Sequence, residues 1–304
     1  MTALLQVVLV AGGSPFLIGL MRQVRAWLEG RAGAGILQPW RDLRKLFRKE
    51  AITPRGTGWV FQLAPPVLAG TALVVAAFIP LVSTESPFGA DLFAVAALLA
   101  LGSVALALGG LDTGTAFGGM GASREMTVLA LVEPTILMAV FALSVRVGST
   151  NLGQIVTSTV THPASVVSPV SVLAAVALAV VTIAETGRVP VDNPSTHLEL
   201  TMVHEAMVLE YSGPDLALIE WASAMRLSVL LGLLANLFVP EGIATSGVTV
   251  LAVVALAVKV GVLGVLLAAG EVFMAKLRLF RIPELLAGSF LLALLAVAAS
   301  FFLG

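Results

Sequence analysis

Cysteine is absent from the 304 residues of this chain. That absence excludes disulfides, thiolate zinc sites and thiolate-held iron–sulfur clusters, so any redox centre associated with the chain must belong to a partner. Charge is nearly as scarce. Asp, Glu, Lys and Arg make up 12% of the residues against 58% hydrophobic ones, and the mean hydropathy is +1.02, which excludes an ordinary soluble globular domain. The apolar runs do not alternate with period two, which excludes an outer-membrane barrel. No basic segment precedes the first apolar run, and Arg22 and Arg25 follow it directly, as expected of a retained first span and not of a cleaved signal peptide. A nucleic-acid-binding signature is also missing.

What is present is a series of long apolar stretches. A helix crossing a hydrocarbon core of about 30 Å needs roughly 20 mainly apolar residues. Eight stretches meet that need, at about 2–24, 60–82, 91–111, 125–146, 168–187, 215–239, 247–270 and 284–303. The sequence predicts an all-α, polytopic membrane protein of about eight transmembrane helices, folded as a single integral membrane domain over 1–304. Lys and Arg gather between the first and second stretches and between the last two, whereas 83–90, 147–167 and 240–246 contain neither. By the positive-inside rule both termini lie on the outer side of the cell's inner (cytoplasmic) membrane. The Ser-, Thr- and Val-rich 147–167 then reads as an outward connection without chemical signal.

Two polar segments fall on the cytoplasmic side, a basic amphipathic segment 29–58 and an acidic loop 184–214. In the first, Leu43, Leu46 and Phe47 share one helical face, flanked by Arg44, Lys45 and Arg48, the pattern of a helix lying in the membrane interface. A plain topology-setting basic loop would carry the same charges. In the second, His197 and His204 would share a helical face but stand about 10 Å apart along the axis, too far to hold one ion. The residue four after His204 is Val208, so no zinc-protease motif starts there. No metal site is expected. Glu199 and Glu210 return to nearly the same face of a helix, with Glu205 about 120° from Glu199. Carboxylates crowded in low-dielectric surroundings raise one another's pKa, as a proton relay requires; a solvated acidic face is the plainer reading. Arg188 could pair with Glu185 or Asp192.

Ionisable residues also occur inside the apolar stretches, where they are costly unless they face protein or water. Glu133 directly precedes Pro134 in the fourth, Glu220 and Arg226 lie in the sixth, Lys259 sits midway along the seventh, and Glu271 closes it. They could be buried ion pairs that fix helix packing, or a hydrated charged axis along which protons move by protonation changes of Glu and Lys.

Three segments carry a family resemblance: GILQPWRDLRKLFRKE at 35–50, AETGRVPVD at 184–192 and EYSG at 210–213. They resemble signature segments of the complex I membrane subunit that borders the quinone chamber, and the likeness covers essentially the whole chain. DNPSTHLELTMVHEAMVLEYSG at 192–213 and AKLRLFRIPELL at 275–286 resemble, more narrowly, the membrane subunits of group 4 nickel–iron hydrogenases such as formate hydrogenlyase. The resemblance implies a non-redox subunit that anchors a cytoplasmic module to antiporter-like membrane subunits. That module would consist of hydrogenase small and large subunits carrying the nickel–iron centre and four-iron–four-sulfur clusters, and this chain would bind no cofactor of its own.

By the same resemblance Glu185, Arg188 and Asp192 match charged positions of a loop lining the quinone chamber in complex I relatives. Glu199 and Glu210 match acidic residues at the start of a proton path, and Glu133 and Lys259 match residues of the fourth and seventh spans. Arg226 and Glu205 join them as coupling candidates. His197, His204, Arg41 and Arg44 are candidates for the interface. Glu271 stands where complex I relatives carry a basic residue, which sets quinone binding in question. Three functions follow: a coupling and anchoring subunit of a membrane-bound hydrogenase, the quinone-site subunit of a complex I-like NADH dehydrogenase, or a stand-alone ion transporter. The last predicts internal inverted repeats, and none is evident.

Overall fold

The computed structural model describes residues 2–85, 89–192, 203–245, 249–275, 277 and 281–303, and most of them are helical. In chain order the α-helices are α1 (Thr2–Leu28), α2 (Gln38–Leu46), α3 (Trp59–Phe78), α4 (Leu92–Asp112), α5 (Ala116–Val147), α6 (Leu152–Thr161), α7 (Pro169–Glu185), α8 (His204–Val208), α9 (Gly213–Phe238), α10 (Val250–Phe273) and α11 (Ile282–Leu303). Among the described residues there is no strand, only single bridges joining Ser83 to Ala244 and Asp91 to Asn151. Side chains start several helices by taking free N–H groups. Asp91 accepts from Phe93 N at 2.8 Å, Asn151 from Gly153 N at 2.9 Å, and Thr249 from Ala252 N at 3.1 Å, a stabilisation of about 1 kcal/mol per cap.

Among the described residues seven helices are long and apolar enough to cross a membrane: α1, α3, α4, α5, α9, α10 and α11. The fifth expected span is α7, apolar but 17 residues long, or about 25 Å of helix. Each of the eight apolar stretches therefore holds a helix, and the chain is a multi-pass, all-α membrane protein. The fourth departs most from expectation, because α5 begins at Ala116 instead of 125 and runs for 32 residues. Gly118, Gly119 and Gly121 lower both hydropathy and helix propensity there. The structure uses at least one of them for close approach: a Cβ on Gly121 would press on Ala206 and Met207 at about 3 Å.

The stretch 147–167 is also more ordered than a plain connection. It holds α6 and a 3-10 turn at Pro163–Val167. Arg146, in the last turn of α5, ties this segment down by donating to Ser165 O at 3.3 Å, Ser168 Oγ at 3.1 Å and Ser171 Oγ at 2.8 Å.

Helix α3 packs on α4, α4 on α5, and α11 on α5 and α7, while α9 packs against α1, α3 and α10. Burial follows this order. In α9 most side chains are buried, including the polar Arg226, Ser228 and Asn236, whereas α10 exposes Val250, Leu251, Val254, Val258, Val262 and Leu266 and so presents a lipid-facing side. Helix α2 lies against α1 and α9, burying Leu43 and exposing Arg41 and Arg44; Phe47, just past its end and expected on the Leu43 face, is exposed.

Candidate functional site

The segment after α7 builds one wall of a charged chamber. Gly187 adopts φ +58°, a left-handed conformation that ends a helix most easily with glycine. The chain then turns back, with Val191 N and Asp192 N donating to Arg188 O at 2.8 and 3.0 Å. Asp192 is buried, and its Oδ2 accepts from Val203 N at 3.1 Å and His204 N at 3.2 Å, so this carboxylate holds the start of α8. Leu277 N donates to Pro190 O at 3.0 Å, linking the same turn to the chain beyond α10.

The chamber has a volume of about 250 Å³ and is bounded by α1, α2, α8, α9, α10 and this turn. Its polar lining includes Arg22, Arg25, Arg188, Asp192, His204, Glu205, Glu220, Ser223 and Glu271. Glu271, with a side chain only 1% exposed, lies between two guanidinium groups: it is hydrogen-bonded to Arg25 of α1 and stands 3.6 Å from Arg188. Burial, with the positive charges of Arg25 and Arg22 nearby, lowers the Arg188 pKa to about 10, still well above neutrality. Burial also lowers the His204 pKa below its ordinary 6.5, with Asp192 opposing and Arg226 assisting the shift. The ring is therefore neutral at physiological pH, with Nε2 3.4 Å from Ser223 Oγ. Burial, aided by Asp192, raises the Glu205 pKa.

Deeper in the protein, Glu185 is paired with Arg226 of α9. Arg226 Nη2 also donates to Leu99 O at 3.0 Å and Ser103 Oγ at 2.9 Å on α4. The expected pairing of Arg188 with Glu185 or Asp192 is thus replaced: Glu185 pairs with Arg226, and Arg188 faces Glu271. Local spacing favours partners a few residues apart, but helix packing brings closer ones from distant parts of the chain. Glu125 of α5 joins Glu185, Asp192 and His204 around a second, small cavity of about 10 Å³, room for about one water. Glu125 does not stand out in the sequence, because it falls at the edge of the fourth apolar stretch. Its signal was a carboxylate in a Gly-rich run continuous with a span.

The other candidates are placed as follows. Glu133 is half-buried on α5, near enough for its charge to act on Glu185. Lys259 Nζ donates to Asn236 Oδ1 at 3.2 Å, and Asn236 Nδ2 in turn donates to Pro80 O and Leu81 O. This group lies far along the chain from the chamber, toward the other ends of α9 and α10. Glu210 is exposed. Arg41 and Arg44 are exposed on α2. His197 and Glu199 lie outside the described residues. Among the described residues no group of three His, Cys, Asp or Glu side chains could hold a metal ion.

EYSG serves as a clamp beside the chamber. The Tyr211 ring stacks on Phe61 at 4.0 Å between centroids, and its hydroxyl donates to Phe61 O at 3.0 Å. Ser212 Oγ accepts from Ile52 N at 2.9 Å. Gly213, at φ +57°, leaves room for Glu50 O, which would lie 2.5 Å from a Cβ. Together these contacts fasten the segment leading from α2 to α3.

A polytopic helical bundle with a charged chamber at one end and ion pairs running into its interior defines a class of membrane subunit. The family profile described as NADH dehydrogenase matches residues 1–302, and the chain belongs to that family. Formate hydrogenlyase subunit 4 of Escherichia coli is 36% identical over 299 residues, covering 96% of each chain. Hydrogenase-4 component C of Escherichia coli is 39% identical over 243 residues, covering 79% of this chain and 75% of the relative. An NADH-quinone oxidoreductase subunit of Syntrophobacter fumaroxidans is 30% identical over 256 residues, covering 78% and 75%. Among solved structures, a chain of the membrane-bound sulfane sulfur reductase, an archaeal respiratory membrane complex, has the same fold, with a TM-score of 0.84, 20% identity and 98% coverage of each chain. The resemblance to the complex I membrane subunit, and within it to the hydrogenase branch, agrees with these relatives.

Proposed function

We propose that this chain is the membrane-anchoring and energy-coupling subunit of a group 4 nickel–iron hydrogenase complex in the cytoplasmic membrane. It links redox chemistry in docked small and large subunits to movement of protons or sodium ions. The nickel–iron centre and iron–sulfur clusters belong to those partners. The observation that carries this reading is the series Glu133, Glu185 with Arg226, Glu125, Asp192 and His204, which leads from the bundle interior to the chamber. The water-sized cavity at its centre is a junction where a proton can pass between carboxylates and the neutral imidazole. A soluble module docked over the chamber, by changing the charge facing Arg188, Glu205 and His204, would alter the proton affinity of that series. On this reading α2 and the chamber face the cytoplasm, both termini face outward, and antiporter-like subunits continue the path.

Replacing Glu133 by Gln in the intact complex tests the proposal. The expected outcome is a complex assembled to near wild-type yield whose ion-coupled hydrogen turnover falls by tenfold or more, about 1.4 kcal/mol of barrier or greater. Reduced assembly with normal turnover in the surviving complex would assign Glu133 a packing role.

A second reading, the quinone-site subunit of a complex I-like NADH dehydrogenase, is supported by the 30%-identical NADH-quinone oxidoreductase relatives and by a chamber bordered by α1, α2 and α9. The charged lining of that chamber favours the first reading, because a quinone site is mostly apolar. Hydrogen turnover insensitive to quinone-site inhibitors separates the two.

A further inference from the structure

Two cavities besides the charged chamber have neighbouring walls. The first is an apolar groove of about 370 Å³ between α1 and α10. Its α1 wall runs from Leu9 to Leu20, about 16 Å along the helix axis and so about half of a 30 Å hydrocarbon core. Gly13 and Gly261 keep the walls low, since a Cβ on Gly13 would meet nothing within 4 Å and one on Gly261 would only graze Leu20 at 4.0 Å. The second is an open crevice of about 580 Å³ between α2 and α9, bordered by Arg41, Arg44, Arg48, Trp40, Phe47 and Trp221. The rings of Phe16, in the groove, and Trp40, in the crevice, lie 6.0 Å apart. The sequence neighbours Ile36 and Leu37 likewise line one cavity each.

The chemistry of the two cavities is complementary to a single molecule. Arg41 and Arg44 are exposed and Arg48 lies at the open edge of the crevice, and among the described residues none of them forms an ion pair with a carboxylate. Three unneutralised guanidinium groups, two on an interfacial helix and one in the turn just past its end, flanked by aromatic rings, suit a phosphate at the headgroup level of a bilayer. The indole N–H of Trp40 is buried there without an acceptor among the described residues. The groove below offers almost only hydrocarbon and opens beside the lipid-facing side of α10. A water-soluble partner would satisfy the arginines and leave the groove empty.

We propose that the groove and crevice together hold one anionic phospholipid from the surrounding bilayer, its phosphate on Arg41, Arg44 and Arg48 and one acyl chain along α1 and α10. The lipid fills the space between the same two helices that the Arg25–Glu271 contact joins at the chamber. It therefore acts as a spacer that keeps this contact in register. The assignment is independent of which redox module docks.

The test uses the complex purified through a tag on this chain, stripped with detergent and re-exposed to phosphatidylglycerol or phosphatidylcholine, with bound lipid read by native mass spectrometry. One phosphatidylglycerol per chain is expected, retained roughly tenfold or more over phosphatidylcholine. Replacing all three arginines by Gln should abolish that preference, replacing them by Lys should keep most of it, and Gly261→Leu, which fills the groove, should abolish retention of both lipids. Equal retention of the two lipids by the wild type, unchanged retention in both the Gln and Leu variants, or a retained isoprenoid quinone would overturn the assignment. So would loss of soluble subunits from the Gln variant with its lipid content unchanged, which would give the arginines to a protein partner.

Discussion

Arg226 and Glu185 form an ion pair between α9 and the end of α7, and the same guanidinium donates to Leu99 O and Ser103 Oγ of α4. One cation thus joins three helices. Both side chains are less than a tenth exposed, so removing either partner strands the other. Arg226→Met should lower the stability of the purified complex by about 3–5 kcal/mol, read from its denaturation midpoint. Adding Glu185→Gln should restore a large part of that loss. Equal stability of the single and double variants would show that Arg226 acts through its α4 contacts and not through the carboxylate.

Much of the bundle was legible because membrane insertion is decided locally. A run of about 20 apolar residues is a sufficient cause for a span, and the helices found at Trp59–Phe78 and Leu92–Asp112 lie within a few residues of the stretches read from hydropathy. Partner choice is a different kind of information. Arg226 and Glu185 are 41 residues apart, and Arg25 and Glu271 are 246 apart, so neither pairing follows from helical spacing. Glu125 escaped for a related reason: its helix is extended through a glycine-rich turn in which Gly121 makes room for α8, and a hydropathy window does not register that contact. The ionisable residues were recognisable one by one, and their grouping around one chamber required the packing of α1, α8, α9 and α10.

Glu271 is the shared anion for Arg25 and Arg188. Its carboxylate is more deeply buried than either guanidinium, with side-chain exposures of 1%, 27% and 20% respectively. Glu271→Gln should therefore cost more than Arg188→Ala: about 3–5 kcal/mol for leaving two cations facing one another unneutralised, against roughly 1–2 kcal/mol where Arg25 still neutralises the carboxylate. Chemical denaturation of the two variants side by side checks the order. The reverse order would mean that Arg188 supports the chamber through contacts other than Glu271.

The chamber should also respond to acid through His204. Burial holds its folded-state pKa below 6.5, so the unfolded chain binds the proton more tightly. Stability from the neutral ring is complete above 6.5 and declines as pH falls through and below that value. Glu205, with a raised folded-state pKa, works in the opposite sense: its contribution is present at low pH and is lost as pH rises from 4.5 through its folded-state value. Thermal midpoints measured from about pH 7.5 to about pH 5 should therefore fall more steeply on acidification in the wild type than in His204→Gln. Parallel curves would show that His204 stays unprotonated, or is hydrated, in both states.

Trp221 repairs a gap that Pro15 makes in α1. Proline has no N–H, so the carbonyl of Ala11, four residues earlier, loses its helical donor. The Trp221 indole Nε1 donates to Ala11 O at 2.8 Å and joins α9 to α1. Trp221→Phe should cost about 1 kcal/mol from the lost hydrogen bond, beyond the small loss of its edge contact with Phe47. In a Pro15→Ala background the helical N–H returns and satisfies Ala11 O, so the same substitution should cost markedly less there. A double-mutant cycle on thermal stability measures the difference, and a coupling of about 0.5 kcal/mol or more is expected. Equal costs in both backgrounds would mean that the indole holds α9 to α1 by packing alone, with the Ala11 carbonyl supplied by water.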